Sequence, residues 1–161
     1  MDDTKILKPG DLILSSEDSL SSWVVQKVTN SLWSHVGVYT GDGNFISAVP
    51  FQGVCLKALT KVDRYGVYRV KGLDDNQRAQ VVRFCVERVG WPYDFVQILL
   101  LGWRIFTDRL KTNAGDPYPT KYVCSELVAE AYASVGVFFG KIVDNVLPGT
   151  IAKNKDTIRI R

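Results

Sequence analysis

The chain has 161 residues, 46% of them hydrophobic, which fits one globular domain over residues 1–161 with a sizeable core. Its 20 basic and 17 acidic residues leave a net charge of +3. That balance is too mild, and the cations too scattered, for a nucleic-acid surface.

In chain order, MDDTKILKPGD is polar and lacks the apolar core of a secretory signal. This predicts a cytoplasmic location, unless the protein reaches a cell wall by another route, such as phage delivery. Pro9-Gly10 turns into DLILS, a short strand. Ser19 caps a helix through about Val28. HVGVYT and NFISAV read as strands, and Gly41-Asp42-Gly43 between them is a hairpin signal. GVCLKAL and YGVYRV continue as strands. Asp74 to Val89 reads as a helix opened by acidic residues and closed by Gly90. Asp94 caps a very apolar helix through about Trp103. The run FVQILLLGWRIF is interrupted by Gln97 and Arg104 and is too short to span a bilayer, so no stable membrane insertion is expected. Thr107 to Thr120 reads as a loop. Ser125 to about Val135 is a helix ended by Gly136, and Asp156 to Ile160 alternates as an edge strand does. Strands early and helices late predict an α+β fold.

The chemistry concentrates in two segments. The one histidine, His35, lies on a strand, and Cys124 lies where an extended run becomes a helix. A thiol at a helix start and a strand histidine are the equipment of a cysteine nucleophile and its base. Thiolate attacks, and a helix N-terminus favours the anion. Each has a plainer alternative: a buried cysteine under a helix start, and a hydrogen-bonded structural histidine. Cys85, inside a helix beside Phe84, reads as core. Cys55, mid-strand near Lys57, reads as structural. Three cysteines and one histidine show no zinc spacing, so neither metal nor cofactor is expected. Tyr122, two residues before Cys124, and Tyr93 are candidate phenol donors to a substrate, or else packing aromatics. Trp33 and Trp91 are candidate walls of a cleft, or else core residues.

Taken together, PGDLIL, SHVGVYTGDGNFISA, GVCLKAL, VGWPYDF and YVCSELVAEAY resemble circularly permuted papain-like cysteine hydrolases of the NlpC type, the YiiX/YebB-like group. The pieces run from about residue 9 to 136 in the permuted order, histidine before cysteine. The resemblance implies a small antiparallel sheet or barrel packed against helices, with Cys124 as nucleophile and His35 as base. It implies peptide substrates, above all peptidoglycan stem peptides. Relatives with the permuted order also include lipid acyl hydrolases and acyltransferases, and a non-catalytic binding descendant is a third class.

One departure stands out. Such proteins often carry a carboxylate after the histidine hairpin, where this chain has Ser47. A hairpin loop centred on Gly41 sets Ser47 directly across from His35, whereas a two-residue Asp42-Gly43 turn shifts the register and separates them. Asp11 and Asp94 are the other candidates to orient the imidazole, each with a plainer role as turn or cap residue.

Overall fold

The structure, a computed structural model, describes residues 6–16, 26, 30–94, 122–140 and 146–161. Its strands are β1 (Leu12–Ser15), β2 (His35–Gly41), β3 (Asn44–Val49), β4 (Gly53–Ala58), β5 (Tyr65–Val70) and β6 (Thr157–Arg159). They form one six-stranded sheet in the order β4-β3-β2-β1-β5-β6. All neighbouring pairs are antiparallel. Helices α1 (Asp75–Val86) and α2 (Cys124–Ala133) pack on each other and on β2 and β3. A short helix, α3 (Pro148–Ala152), precedes the edge strand β6. The fold is α+β, as the order of elements predicts.

Local chemistry explains the elements. Asp74 caps α1 by accepting the Gln77 N–H at 2.8 Å, while the Gln77 side chain accepts the Asp74 N–H at 3.1 Å. This reciprocal pair satisfies two N–H groups that the first turn cannot. α1 ends at Val86, short of the expected Val89, and the chain reaches Gly90 through tighter turns. α3 was not foreseen; its Pro148 at the first helical position is a start signal that the following Gly149 obscures. A Cβ on Gly149 would lie 2.7 Å from Ser31 Cβ, so close packing dictates that glycine. The expected helices beginning at Ser19 and Asp94, and the expected loop from Thr107 to Thr120, fall largely outside the described residues. Among the described residues no helix is long and apolar enough to cross a membrane.

Strand alternation divides the core. Leu12, Leu14, Val36, Val38, Ile46 and Ala48 face the helices and pack with Val81, Cys85, Leu127 and Tyr132. Ile13, Tyr39, Phe45 and Val67 form a smaller cluster on the other face. Both helices are anchored at one corner, Gly10-Asp11. Asp11 is fully buried and accepts from Arg69 of β5 at 2.7 and 2.6 Å, from Arg78 of α1 at 3.4 Å and from the Lys8 N–H at 2.8 Å. The buried Tyr132 hydroxyl of α2 donates to the Gly10 carbonyl. Asp11 is therefore not the group that orients His35. Its oxygens are committed, and it lies beside Tyr39, about 13 Å along β2 from His35.

Removing the Asp11 carboxylate leaves two guanidinium groups facing a dry corner. Asp11→Ala is expected to lower unfolding free energy by about 3–5 kcal/mol. Chemical denaturation measures this. A loss below about 1 kcal/mol, the level of a solvated pair, would contradict the anchoring role.

Candidate active site

The β2–β3 hairpin decides which way Ser47 points. Asp42 and Gly43, with φ of 52° and 76°, make the two-residue turn, flanked by the pair Gly41–Asn44. Positive φ at both central positions is the type I′ signature. On its own this turn would send Ser47 to the face away from His35. A register shift between Tyr39 and Gly41 returns one residue, so Tyr39 pairs with Phe45 and Val38 with Ile46. A one-residue slip exchanges the faces of a strand, and the bulge exchanges them back. Continuing this register sets Ser47 opposite Gly37, so the direct pairing with His35 expected from a Gly41-centred loop does not form. The two side chains meet diagonally instead: Ser47 Oγ lies 2.8 Å from His35 Nε2. Gly37 is what permits this. A Cβ there would come within 2.6 Å of the Phe45 ring and the Ile46 carbonyl and 3.0 Å of Ser47 Cβ. Ser47 and Phe45 thus occupy the space that a side chain at position 37 would need.

Proton counting assigns the histidine tautomer. Ser47 is fully buried and has one hydroxyl proton, which it donates to the Val36 carbonyl at 2.6 Å. It can then only accept from His35, so Nε2 carries the proton and Nδ1 carries the lone pair of the neutral ring. This is the form of histidine that can remove a proton from a thiol, and serine fixes it without supplying charge.

Cys124 is the first residue of α2. Its preceding segment is held by main-chain bonds. The Val54 N–H at the start of β4 donates to the Trp91 carbonyl at 2.9 Å. Tyr122 N–H donates to the Pro92 carbonyl and Asp94 N–H to the Tyr122 carbonyl, each at 3.1 Å. Tyr93 and Tyr122 form a parallel bridge. A Cβ on Gly53 would meet the Trp91 carbonyl at 2.2 Å, so only glycine allows this approach. β2 begins, β3 ends and β4 begins at the same end of the sheet. His35, Ser47, the Trp91–Asp94 segment and the start of α2 are therefore gathered at that end.

The aromatic candidates have definite partners. Trp33 donates its indole N–H to the Tyr68 hydroxyl at 3.1 Å, with the rings edge to face at 6.1 Å. Trp91 lies 5.8 Å from the Tyr122 ring. Both tryptophans are half-buried against the core. Burial, with further contributions from Cys124 and Asp94, raises the Tyr93 phenol above its ordinary range, so it stays protonated at neutral pH. Tyr122 is buried; its hydroxyl donates to Glu130 at 2.7 Å and accepts from Arg88 at 2.9 Å. Sequence reasoning missed Tyr68, Arg88 and Glu130, because contacts between distant segments leave no spacing signal. The other thiols are poor nucleophiles. Burial pushes Cys85 up to about 12, and burial outweighs Lys57 in raising Cys55. Thiolate, not thiol, reacts, so both are suppressed.

Ser47→Ala removes the acceptor for His35 Nε2–H while leaving the strand in place. Turnover is expected to fall about tenfold or more, the usual scale for losing a group that orients a working histidine. The thermal midpoint should move by only a few degrees. Unchanged kcat in a folded Ser47→Ala protein would contradict the orienting role.

Comparison with known proteins identifies the family and the fold. The family described as permuted papain-like amidase enzyme, YaeF/YiiX, C92 family matches residues 6–100. That stretch carries Trp33, His35, Ser47, Trp91 and Tyr93 and stops before Tyr122 and Cys124. The probable lipoprotein peptidase YaeF of Escherichia coli strain K12 is 26% identical over 155 residues, covering 81% of this chain and 57% of that protein. The chain thus spans little more than half the length of that curated relative. The crystal structure of metalloprotein yiiX from Escherichia coli O157:H7 shares the fold, with a TM-score of 0.57, 19% identity and 96% of each chain covered. Among the described residues here, no group of three or more His, Cys, Asp or Glu could hold a metal ion. With residues 6–100 of 161 matched, the chain belongs to the permuted papain-like amidase family of the YaeF/YiiX, C92 type.

Proposed function

We propose that the chain is a cysteine amidase that opens peptide bonds through an acyl-enzyme at Cys124, with His35 as base and Ser47 as its orienting partner. The observation that carries this is Cys124 at the head of α2, a helix packed on the strand that His35 begins. His35 is the first residue of β2, so its ring sits at the sheet's end, with Nε2 on Ser47. Nδ1 takes the thiol proton as sulfur attacks the carbonyl carbon. The positive end of the α2 dipole stabilises the oxyanion. The tetrahedral intermediate collapses, His35 returns the proton to the departing amine, and an acyl thioester remains. Water, deprotonated by His35, then releases the acid and restores the thiol. Trp33 and Trp91 flank the scissile bond, and Tyr93 offers a phenol proton to the substrate.

Short peptides, above all peptidoglycan stem peptides, are the proposed substrates. The family's description as an amidase and the relative's name as a peptidase both support amide cleavage. A second reading, transfer or hydrolysis of a lipid acyl chain, draws on Leu32 and Phe51. These are 79% and 92% exposed in the loops at the same end of the sheet. A panel of stem peptides and acyl esters decides between them. Amide hydrolysis of stem peptides is expected, and Cys124→Ala and His35→Ala should each lower it at least a hundredfold, about the scale of general-base or nucleophile loss. Ester turnover without amide turnover would favour the lipid reading. Full activity in Cys124→Ala would exclude the mechanism.

A further inference from the structure

Cys124 is held by more than its own helix. Arg88 lies just beyond the end of α1 and is clamped there. Its Nη1 donates to the Phe84 carbonyl at 2.9 Å, and its guanidinium carbon sits 3.3 Å above the centre of the Phe84 ring. From this seat Arg88 Nε donates to the Tyr122 hydroxyl at 2.9 Å, and that hydroxyl donates to Glu130 Oε2 at 2.7 Å. Trp91 covers the Tyr122 ring at 5.8 Å and the Arg88 guanidinium at 5.4 Å. Glu130 belongs to α2, the helix that Cys124 heads, and Tyr122 stands two residues before the thiol. The three groups form a chain running from one helix, through the segment that leads into Cys124, to the second helix. It crosses between charges of opposite sign, and each hydrogen bond in it has a charged partner, the stronger kind.

We propose that Arg88, Tyr122 and Glu130 are positioning residues that aim the first turn of α2, and with it the Cys124 thiol, at the base and substrate. Tyr122 has one hydroxyl proton and gives it to Glu130, so it acts by holding the turn rather than by donating to substrate. The main-chain bonds of Tyr122 to Pro92 and Asp94 fix the position of this segment. The side-chain relay fixes its rotation relative to α2, and a small rotation at a nucleophile costs rate without costing fold. The inference rests on Cys124 being the nucleophile.

The test is the pH dependence of Cys124 alkylation by iodoacetamide, read by peptide mass spectrometry, together with kcat and KM on the preferred substrate. The proteins are the unaltered chain, Tyr122→Phe, Arg88→Gln and Arg88→Lys. In the unaltered chain Cys124 is expected to react before Cys55 and Cys85. Failure there would overturn the nucleophile reading itself, and the relay with it. With that reading intact, Tyr122→Phe and Arg88→Gln are expected to react about three- to tenfold more slowly at neutral pH, with midpoints displaced to higher pH. They should lose kcat in similar proportion while KM holds. Arg88→Lys keeps the charge but not the planar fork, so partial recovery is expected. If Tyr122→Phe and Arg88→Gln shift thermal stability while their alkylation profiles and kcat match the unaltered chain, the relay is purely structural and the proposal fails. Should Tyr122→Phe not fold, Arg88→Gln, at a half-buried position outside any helix, carries the same decision.

Discussion

A carboxylate sealed from water must be paired, and the pairing of Asp11 organises the rest of the molecule. Arg69 ties it to β5 and Arg78 ties it to α1, while Tyr132 of α2 bonds the adjoining Gly10 carbonyl. Both helices are thus registered on the sheet from a single corner. A Cβ on Gly10, which has φ of 81°, would press on Arg78 Cβ at 3.2 Å, so the corner also specifies its glycine. With α1 fixed at this corner, its far end delivers Arg88 and then Trp91 to the opposite end of the sheet. With α2 fixed, its first residue, Cys124, is carried to that same end.

The second determinant is parity. The type I′ turn at Asp42-Gly43 and the bulge between Tyr39 and Gly41 each move the register by one residue. Their combination, not either alone, brings Ser47 to the His35 ring. Serine there has a chemical consequence. It fixes the tautomer as a carboxylate would, yet gives imidazolium no counter-charge. In the proposed mechanism, stabilising a thiolate–imidazolium pair would then fall to the helix dipole at Cys124.

Much of the fold could be read from the chain because its signals are local. NFISAV and YGVYRV become β3 and β5 residue for residue, and the acidic pair Asp74-Asp75 announces the start of α1. Cys124 at a helix start was legible from the change of pattern around it, and the family from five short pieces in order. A His35–Ser47 contact was legible only as a conditional direct pair, since Gly41-Asp42-Gly43 fits two loops; the diagonal form was not, because the bulge that produces it has no sequence mark. Asp11 reads as a turn residue because its partners lie 58 and 67 positions away. The Arg88–Tyr122–Glu130 chain was invisible for the same reason: it exists only once two helices and a bridge have met. α3 was lost to the glycine after its proline.

The proposed mechanism turns on a covalent bond to one sulfur, that of Cys124. Intact-mass and peptide mass spectrometry of the protein quenched in acid during turnover of a slow activated amide or ester measures that bond directly. An adduct of the acyl mass on the peptide bearing Cys124 is expected, absent in Cys124→Ala and discharged by hydroxylamine as a thioester is. Turnover with the acyl group on Cys55, or with no covalent adduct under conditions where hydrolysis of a thioester is rate-limiting, would contradict the account.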